Sequence, residues 1–181
     1  MQITPLRLAG SFLVETERIR DERGFFMRLY DAEIFAAHDL QTIWMHDSQS
    51  FNRKRHTVRG LHFQLPPFEE TKLVRVTSGA ISDVIVDLRK ESATYGEWEV
   101  VELSEENGRA LYIPVGFAHG FCTLTDAATV NYKIDAPYDA ASTSGIRWND
   151  ATLNINWQTD APVISERDRQ LQLFSDFVSP F

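Results

Sequence analysis

Between Lys72 and Lys90 the sequence KLVRVTSGAISDVIVDLRK changes character at every second residue. Leu73, Arg75 and Thr77 fall on one side of an extended chain and Val74 and Val76 on the other. After Ser78-Gly79, Ile81, Asp83, Ile85 and Asp87 oppose Val84, Val86 and Leu88. A period of two belongs to a strand, whose successive side chains point to opposite faces; a helix would put its apolar residues three and four apart. Gly79 can take the positive φ that a tight turn requires, so 72–90 is predicted to form a hairpin. Further alternating runs lie at 98–103 (WEVVEL), 109–114 (RALYIP), 120–125 (GFCTLT) and 128–134 (ATVNYKI), with Glu105-Glu106-Asn107-Gly108 reading as a turn. Helical signal is confined to 31–38 (DAEIFAAH), where Asp31 can cap, and to the tail around 165–177. Many short strands without alternating helices predict an antiparallel sandwich or closed barrel.

The 181 residues show no repeat, linker or low-complexity tract, so one domain spanning 1–181 is expected. The 43% hydrophobic and 24% charged fractions are those of a globular chain. No apolar stretch has the length of a signal peptide or of a membrane span, so a soluble, unexported, cytoplasmic protein with no membrane partner is expected. The one cysteine, Cys122, has no internal partner for a disulfide and reads as a small buried hydrophobe. A formal net charge of -8 argues against nucleic acid as a partner. The basic triplet Arg53-Lys54-Arg55 can be either a solvated loop or a rim that attracts a small anion.

Polar residues concentrate in three otherwise strand-like stretches: 59–72 (RGLHFQLPPFEETK), 112–121 (YIPVGFAHGF) and 131–139 (NYKIDAPYD). On a strand, Gly60, His62 and Gln64 share one face while Arg59, Leu61 and Phe63 share the other. A histidine between Leu and Phe can simply be a satisfied, partly buried side chain. His62 is followed ten residues later by Lys72, with tyrosine and aspartate elsewhere, and this set supplies a base, an oxyanion stabiliser and an acid for proton abstraction beside a carbonyl. A metal site is not expected: no His-x-His or His-x-x-x-His pair occurs, and Gln64 stands where a second ligand after His62 would be.

Together RGLHFQ, KLVRV, SDVIVDLRKESATYGEW, LYIPVGFAHGF, NYKIDAPYD, GIRWND and ISERDR resemble the dTDP-4-dehydrorhamnose 3,5-epimerase family, over about residues 3 to 173. The segment from Pro114 to His119 also looks like the second motif of cupins. The resemblance implies an all-β, cupin-type jelly-roll barrel with short peripheral helices. It implies a homodimer whose N-terminal strands cross to the partner, acting on a nucleotide-diphosphate sugar without metal or organic cofactor. By position, His62 looks like the general base, Asp168 like the carboxylate orienting it, Tyr132 like the acid on the opposite sugar face and Lys72 like the enolate stabiliser. Arg23, Arg59 and Arg167 match positions that contact the diphosphate or nucleotide; His119 resembles a residue lining the sugar site, and Tyr138 one stacking near the base. Gln64 and Arg28 complete the expected substrate-binding set.

The chain departs from the family pattern at the base-reading elements. Arg28 stands where thymine-reading members usually carry an acidic residue, His46-Asp47-Ser48 replaces a Gln-x-Asn pair, and one residue is inserted before His62. Glu69 and Glu70 occupy commonly neutral positions ahead of Lys72. With His62, Lys72, Tyr132 and Asp168 all in place, inversion of C3 and C5 of a dTDP-4-keto-6-deoxyhexose is the leading reading. A monofunctional 3- or 5-epimerase, or one taking a CDP- or GDP-linked sugar, is its nearest rival. A non-catalytic sugar-binding cupin and a metal-dependent cupin oxygenase are the other classes, separated by solvent exchange and by metal analysis.

Overall fold

A computed structural model of the chain describes residues 1–181. In chain order the strands are β1 (Gln2–Pro5), β2 (Phe12–Glu15), β3 (Ile19–Asp21), β4 (Gly24–Phe26), β5 (His46–Asn52), β6 (Val58–Gln64), β7 (Lys72–Ser78), β8 (Ala80–Asp87), β9 (Trp98–Ser104), β10 (Ala110–Ile113), β11 (Phe117–Thr123), β12 (Ala128–Ile134) and β13 (Thr143–Gly145). The helices are α1 (Ala32–Ala36) and α2 (Glu166–Arg169). Asp31 caps α1 as expected, its carboxylate accepting from the amides of Glu33 and Ile34. The predicted tail helix is broken. Only α2 and a 3-10 turn at Phe174–Asp176 form, because Gln172 is drawn out to bridge Ile146 and accept the Arg147 amide.

A six-stranded sheet in the order β1-β2-β10-β7-β12-β5 faces a five-stranded sheet in the order β13-β6-β11-β8-β9, and β3-β4 forms a separate ribbon. All these strand pairs are antiparallel, so the two large sheets make the jelly-roll architecture. The predicted hairpin over 72–90 does not exist as a pair. The strands are where the alternation put them, but β7 pairs with β10 and β12, and β8 with β11 and β9. Gly79, at φ +74°, turns the chain from one sheet into the other, where a Cβ would collide with Thr125 Oγ1. The Glu105–Gly108 turn likewise crosses between sheets, with Ser104 and Asn107 accepting each other's amides.

The alternation does determine which face each residue takes. Val74, Val76, Ile81 and Ile85 join Leu103, Leu111 and Phe121 in a core between the sheets. Val84, Val86 and Leu88 face outward under a C-terminal cover that includes Leu153, Trp157 and Phe177. Leu73 faces the other way, packing with Phe35 of α1, Tyr112 and Val14. Fully burying each large aliphatic side chain contributes roughly 1.5–3 kcal/mol, so the two sheets are held mainly by this apolar filling. Cys122 is wholly buried in the outer cluster, and burial pushes its thiol up to about 11.

At the end of β8, Asp87 is fully buried and accepts from Arg89, Ser92 and Thr94. Burial alone would raise its carboxyl, but these donors outweigh it and hold it at about 2. Because the folded value lies below the unfolded one, the stabilisation is complete above pH ~4 and is lost as pH falls from there through about 2. Asp87→Asn is expected to cost about 2 kcal/mol at pH 7, lowering Tm by roughly 4–8 °C, with a smaller deficit near pH 2. Equal melting of the two proteins at pH 7 would contradict this.

Candidate active site

One end of the space between the sheets is filled by polar rather than apolar residues, leaving a cavity of about 310 Å3. That is the lower range for a small-molecule site. His62 of β6 and His119 of β11 line it from the five-stranded sheet, Lys72 of β7 and Tyr132 of β12 from the six-stranded sheet. His62 and Tyr132 thus face the space from opposite walls.

The face assignment for β6 holds for His62 and Gln64, which line the cavity, and for Leu61, which joins the outer cluster; Phe63 packs in that cluster while also bordering the cavity. It fails for Arg59, which also lines the cavity. The cause is a register shift in the β6–β11 pair between His119 and Phe121. Gly60 sits there at φ +119°, so close to β11 that a Cβ would meet Gly120 Cα at 2.6 Å. The irregular backbone breaks the period of two, and Arg59 reaches the mouth, where its Nε donates to Asn52 Oδ1 at 2.7 Å.

His62 is one-third exposed, and its Nε2 meets Asp168 Oδ1 at 2.8 Å. Asp168 is buried in α2, fixed by the Ser165 N-cap and by the Gly60 amide at 3.4 Å. Burial alone would raise its carboxyl, but the bonds from His62, Gly60 and the Ser165 cap outweigh that and hold it below the usual carboxylate range. An ionised carboxylate only accepts, so the proton of neutral His62 lies on Nε2 and Nδ1 carries the free lone pair. This arrangement can accept a proton.

The Tyr132 hydroxyl lies 2.9 Å from Ser50 Oγ. Burial, the dominant effect, drives its phenol well above the ordinary value; Asp83 adds to this, while Ser50 and Arg59 oppose it. Tyr132 is therefore fully protonated at neutral pH and can act as a proton donor. Its ring meets that of His119 edge-on, centroids 6.3 Å apart. His119 is buried, with Nε2 2.6 Å from Asp83 Oδ1. Lys72 is almost enclosed, its ammonium 2.8 Å from Glu70 Oε1.

Tyr138 and Arg167, both exposed, line the mouth. Gln64 lines the wall, but its amide is spent on the protein. It donates to the carbonyls of Phe68 and Pro137 and accepts the Asp139 amide, tying together the two loops that frame the cavity. Arg23 and Arg28, grouped with the others in the sequence, do not line this chain's cavity; Arg23 pairs with Asp21 at the exposed tip of β3-β4, and Arg28 with Asp31. Arg53, Lys54 and Arg55 are exposed in the connection after β5 and take no part in the wall. Lys133 lies on the outer face, paired with Asp47.

Ser50 and Asp83 were not assigned roles from the sequence, and of Glu70 only its charge ahead of Lys72, able to alter that lysine's surroundings, was legible. Asp83 had a signal, an acid at an inward position between Ile81 and Ile85. Ser50 had none, since nothing local marks the partner of a tyrosine 82 residues away. No three His, Cys, Asp or Glu side chains come together as a metal-ligand set. Each cavity histidine is instead tied to its own carboxylate.

A histidine–carboxylate pair opposed by a half-buried, protonated tyrosine inside a jelly roll defines an acid–base enzyme of the cupin type. The family model described as dTDP-4-dehydrorhamnose 3,5-epimerase matches residues 5–176. The Methanothermobacter thermautotrophicus protein of that name is 46% identical over 165 residues, covering 90% of this chain and 88% of its own. A Bacillus anthracis crystal structure of that name, with TDP and PPi bound, superposes with a TM-score of 0.93 at 41% identity, covering 96% of this chain and 99% of its own. A Streptomyces niveus dTDP-4-dehydrorhamnose 3-epimerase is 35% identical, covering 97% and 85%. The chain belongs to the dTDP-4-dehydrorhamnose 3,5-epimerase family, an isomerase family.

Proposed function

We propose that the chain inverts C3 and C5 of a dTDP-4-keto-6-deoxyhexose by removing a proton from one face and returning one from the other. The observation that carries this reading is the opposition of His62, with Nδ1 free, to protonated Tyr132 across one small cavity. The 4-keto group acidifies the C–H bonds beside it. His62 Nδ1 takes the proton, the electron pair passes to the keto oxygen as an enolate, and the Lys72 ammonium stabilises that charge. Tyr132 then protonates the same carbon from the opposite wall as the enolate returns to the ketone. His62 gives its proton to solvent and Tyr132 regains one, with Ser50 placed to stabilise the phenolate between these events.

Asp168 keeps the base in the correct tautomer. His119 borders the sugar, the Arg59 and Arg167 forks suit the diphosphate, and Tyr138 offers an exposed ring to the base. Gln64 contributes by holding the frame. Arg23 and Arg28 serve a neighbouring copy: β3-β4 leaves Ile19, Phe25 and Phe26 more than half exposed, as are Ile43, Met45 and Phe51, an apolar surface that suits a homodimer. Sedimentation is expected to give twice the 20.7 kDa of one chain; a monomeric mass would overturn the dimer. The chain works in the cytoplasm, supported by its nucleotide-sugar substrate and its lone buried cysteine. No helix is long and apolar enough to cross a membrane.

A monofunctional epimerase is the second reading, favoured by the 35% identity to a 3-epimerase across nearly the whole chain. The nucleotide is tested by calorimetric titration with dTDP, CDP and GDP. The proposal expects dTDP to bind at least tenfold more tightly than the others, and tighter CDP or GDP binding would overturn it.

A further inference from the structure

Glu70 stands two residues before Lys72 in the connection between β6 and β7, and both side chains line the cavity wall. Their charged atoms are 2.8 Å apart, and the side chains are only 13% and 10% exposed. An ammonium this enclosed has lost most of its water, and a lone charge in such a place either finds a counter-charge or gives up its proton. Lysine also carries its charge on four flexible carbons, so burial alone does not aim it. Glu70 answers both needs. Its second oxygen lies 3.4 Å from the Gln64 amide, which is itself anchored on the carbonyls of Phe68 and Pro137. The carboxylate is thereby braced against both loops of the frame.

We propose that Glu70 is a positioning residue for the reaction, holding the Lys72 ammonium aimed at the oxygen where enolate charge develops. An ammonium has three donors; one goes to Glu70 and two remain for the sugar. The carboxylate also subtracts from the field at the enolate, which taken alone would make its removal raise the rate. Orientation of the ammonium is the larger effect in a site with so little water.

The inference rests on the epimerase reading above. The test measures kcat and KM for exchange of the C3 and C5 hydrogens in D2O for wild type, Glu70→Gln, Glu70→Asp, Lys72→Met and the Glu70→Gln, Lys72→Met double variant, with dTDP affinity and melting temperature confirming folded protein. Glu70→Gln is expected to lower kcat by about 10–10², with KM within threefold. Lys72→Met loses about 10²–10³, and the double variant loses no more, because the carboxylate acts only through the amine. Glu70→Asp, which keeps the charge one methylene further back, recovers part of the lost kcat while remaining slower than wild type. Additive losses, an effect on KM in place of kcat, a rise in kcat, or a Glu70→Asp no faster than Glu70→Gln would each overturn the role of Glu70. A wild type that exchanges neither hydrogen on dTDP-, CDP- or GDP-linked sugars would sink the epimerase reading and this inference with it. Active wild type with an indifferent Glu70→Gln sinks this inference alone.

Discussion

His62→Ala is expected to lower exchange of both the C3 and C5 hydrogens by about 10²–10⁴-fold, with dTDP affinity unchanged within a few fold. In the proposed mechanism the two positions share one base, so they fall together. His62 is one-third exposed, and Asp168 keeps the Gly60 amide after the ring is removed, so the variant is expected to fold. Loss of rate with retained binding is the signature of a group acting on the transition state rather than on substrate affinity. A variant that exchanges either hydrogen at the wild-type rate would remove His62 from the chemistry at that carbon.

Tyr132→Phe separates exchange from inversion. The ring and its edge-on contact with His119 stay, and only the hydroxyl shared with Ser50 is lost. Inverted product is expected to fall by about 10²–10⁴-fold, while deuterium still enters from the His62 face with retained configuration. Chiral analysis of the recovered sugar alongside NMR reads both quantities. Because burial raises the phenol above its ordinary value, wild-type Tyr132 remains a proton donor through pH 10, and its ionisation sets no limb of the profile below that. Inversion at the wild-type rate in Tyr132→Phe would show that the second proton comes from elsewhere.

Alternation of side chains tells which face a residue takes but not which strand it will lie beside. This is why Val74, Ile81 and Val84 were assigned to correct sides while β7 and β8, read as a hairpin, proved to belong to opposite sheets. The turn residue Gly79 was legible, but a turn that crosses a sandwich and a turn that closes a hairpin need the same positive φ. Within the site, His62 and Gln64 followed the strand period. Arg59 escaped it because the backbone shifts register at Gly60, a consequence of a neighbouring strand that no local pattern contains.

The partner groups were least legible. Asp168 meets His62 across 106 residues, and only likeness to a family joined them; by physical reading alone they were one aspartate and one histidine among several. Gln64 illustrates the reverse. Its place on the cavity face was read correctly, yet its valences are taken by the Phe68 and Pro137 carbonyls and the Asp139 amide, which depend on where two loops come to rest. Arg23 and Arg28 lie outside the cavity of their own chain because β3-β4 stands apart from both large sheets.

The most direct measurement is proton NMR of dTDP-4-keto-6-deoxyglucose with the wild-type protein in D2O, following the C3 and C5 signals separately. Loss of both signals, with inverted sugar accumulating, is the expected result. Loss of the C3 or C5 signal alone would make the protein a monofunctional epimerase, and persistence of both with folded, dTDP-binding protein would contradict proton transfer by His62 and Tyr132 on this sugar.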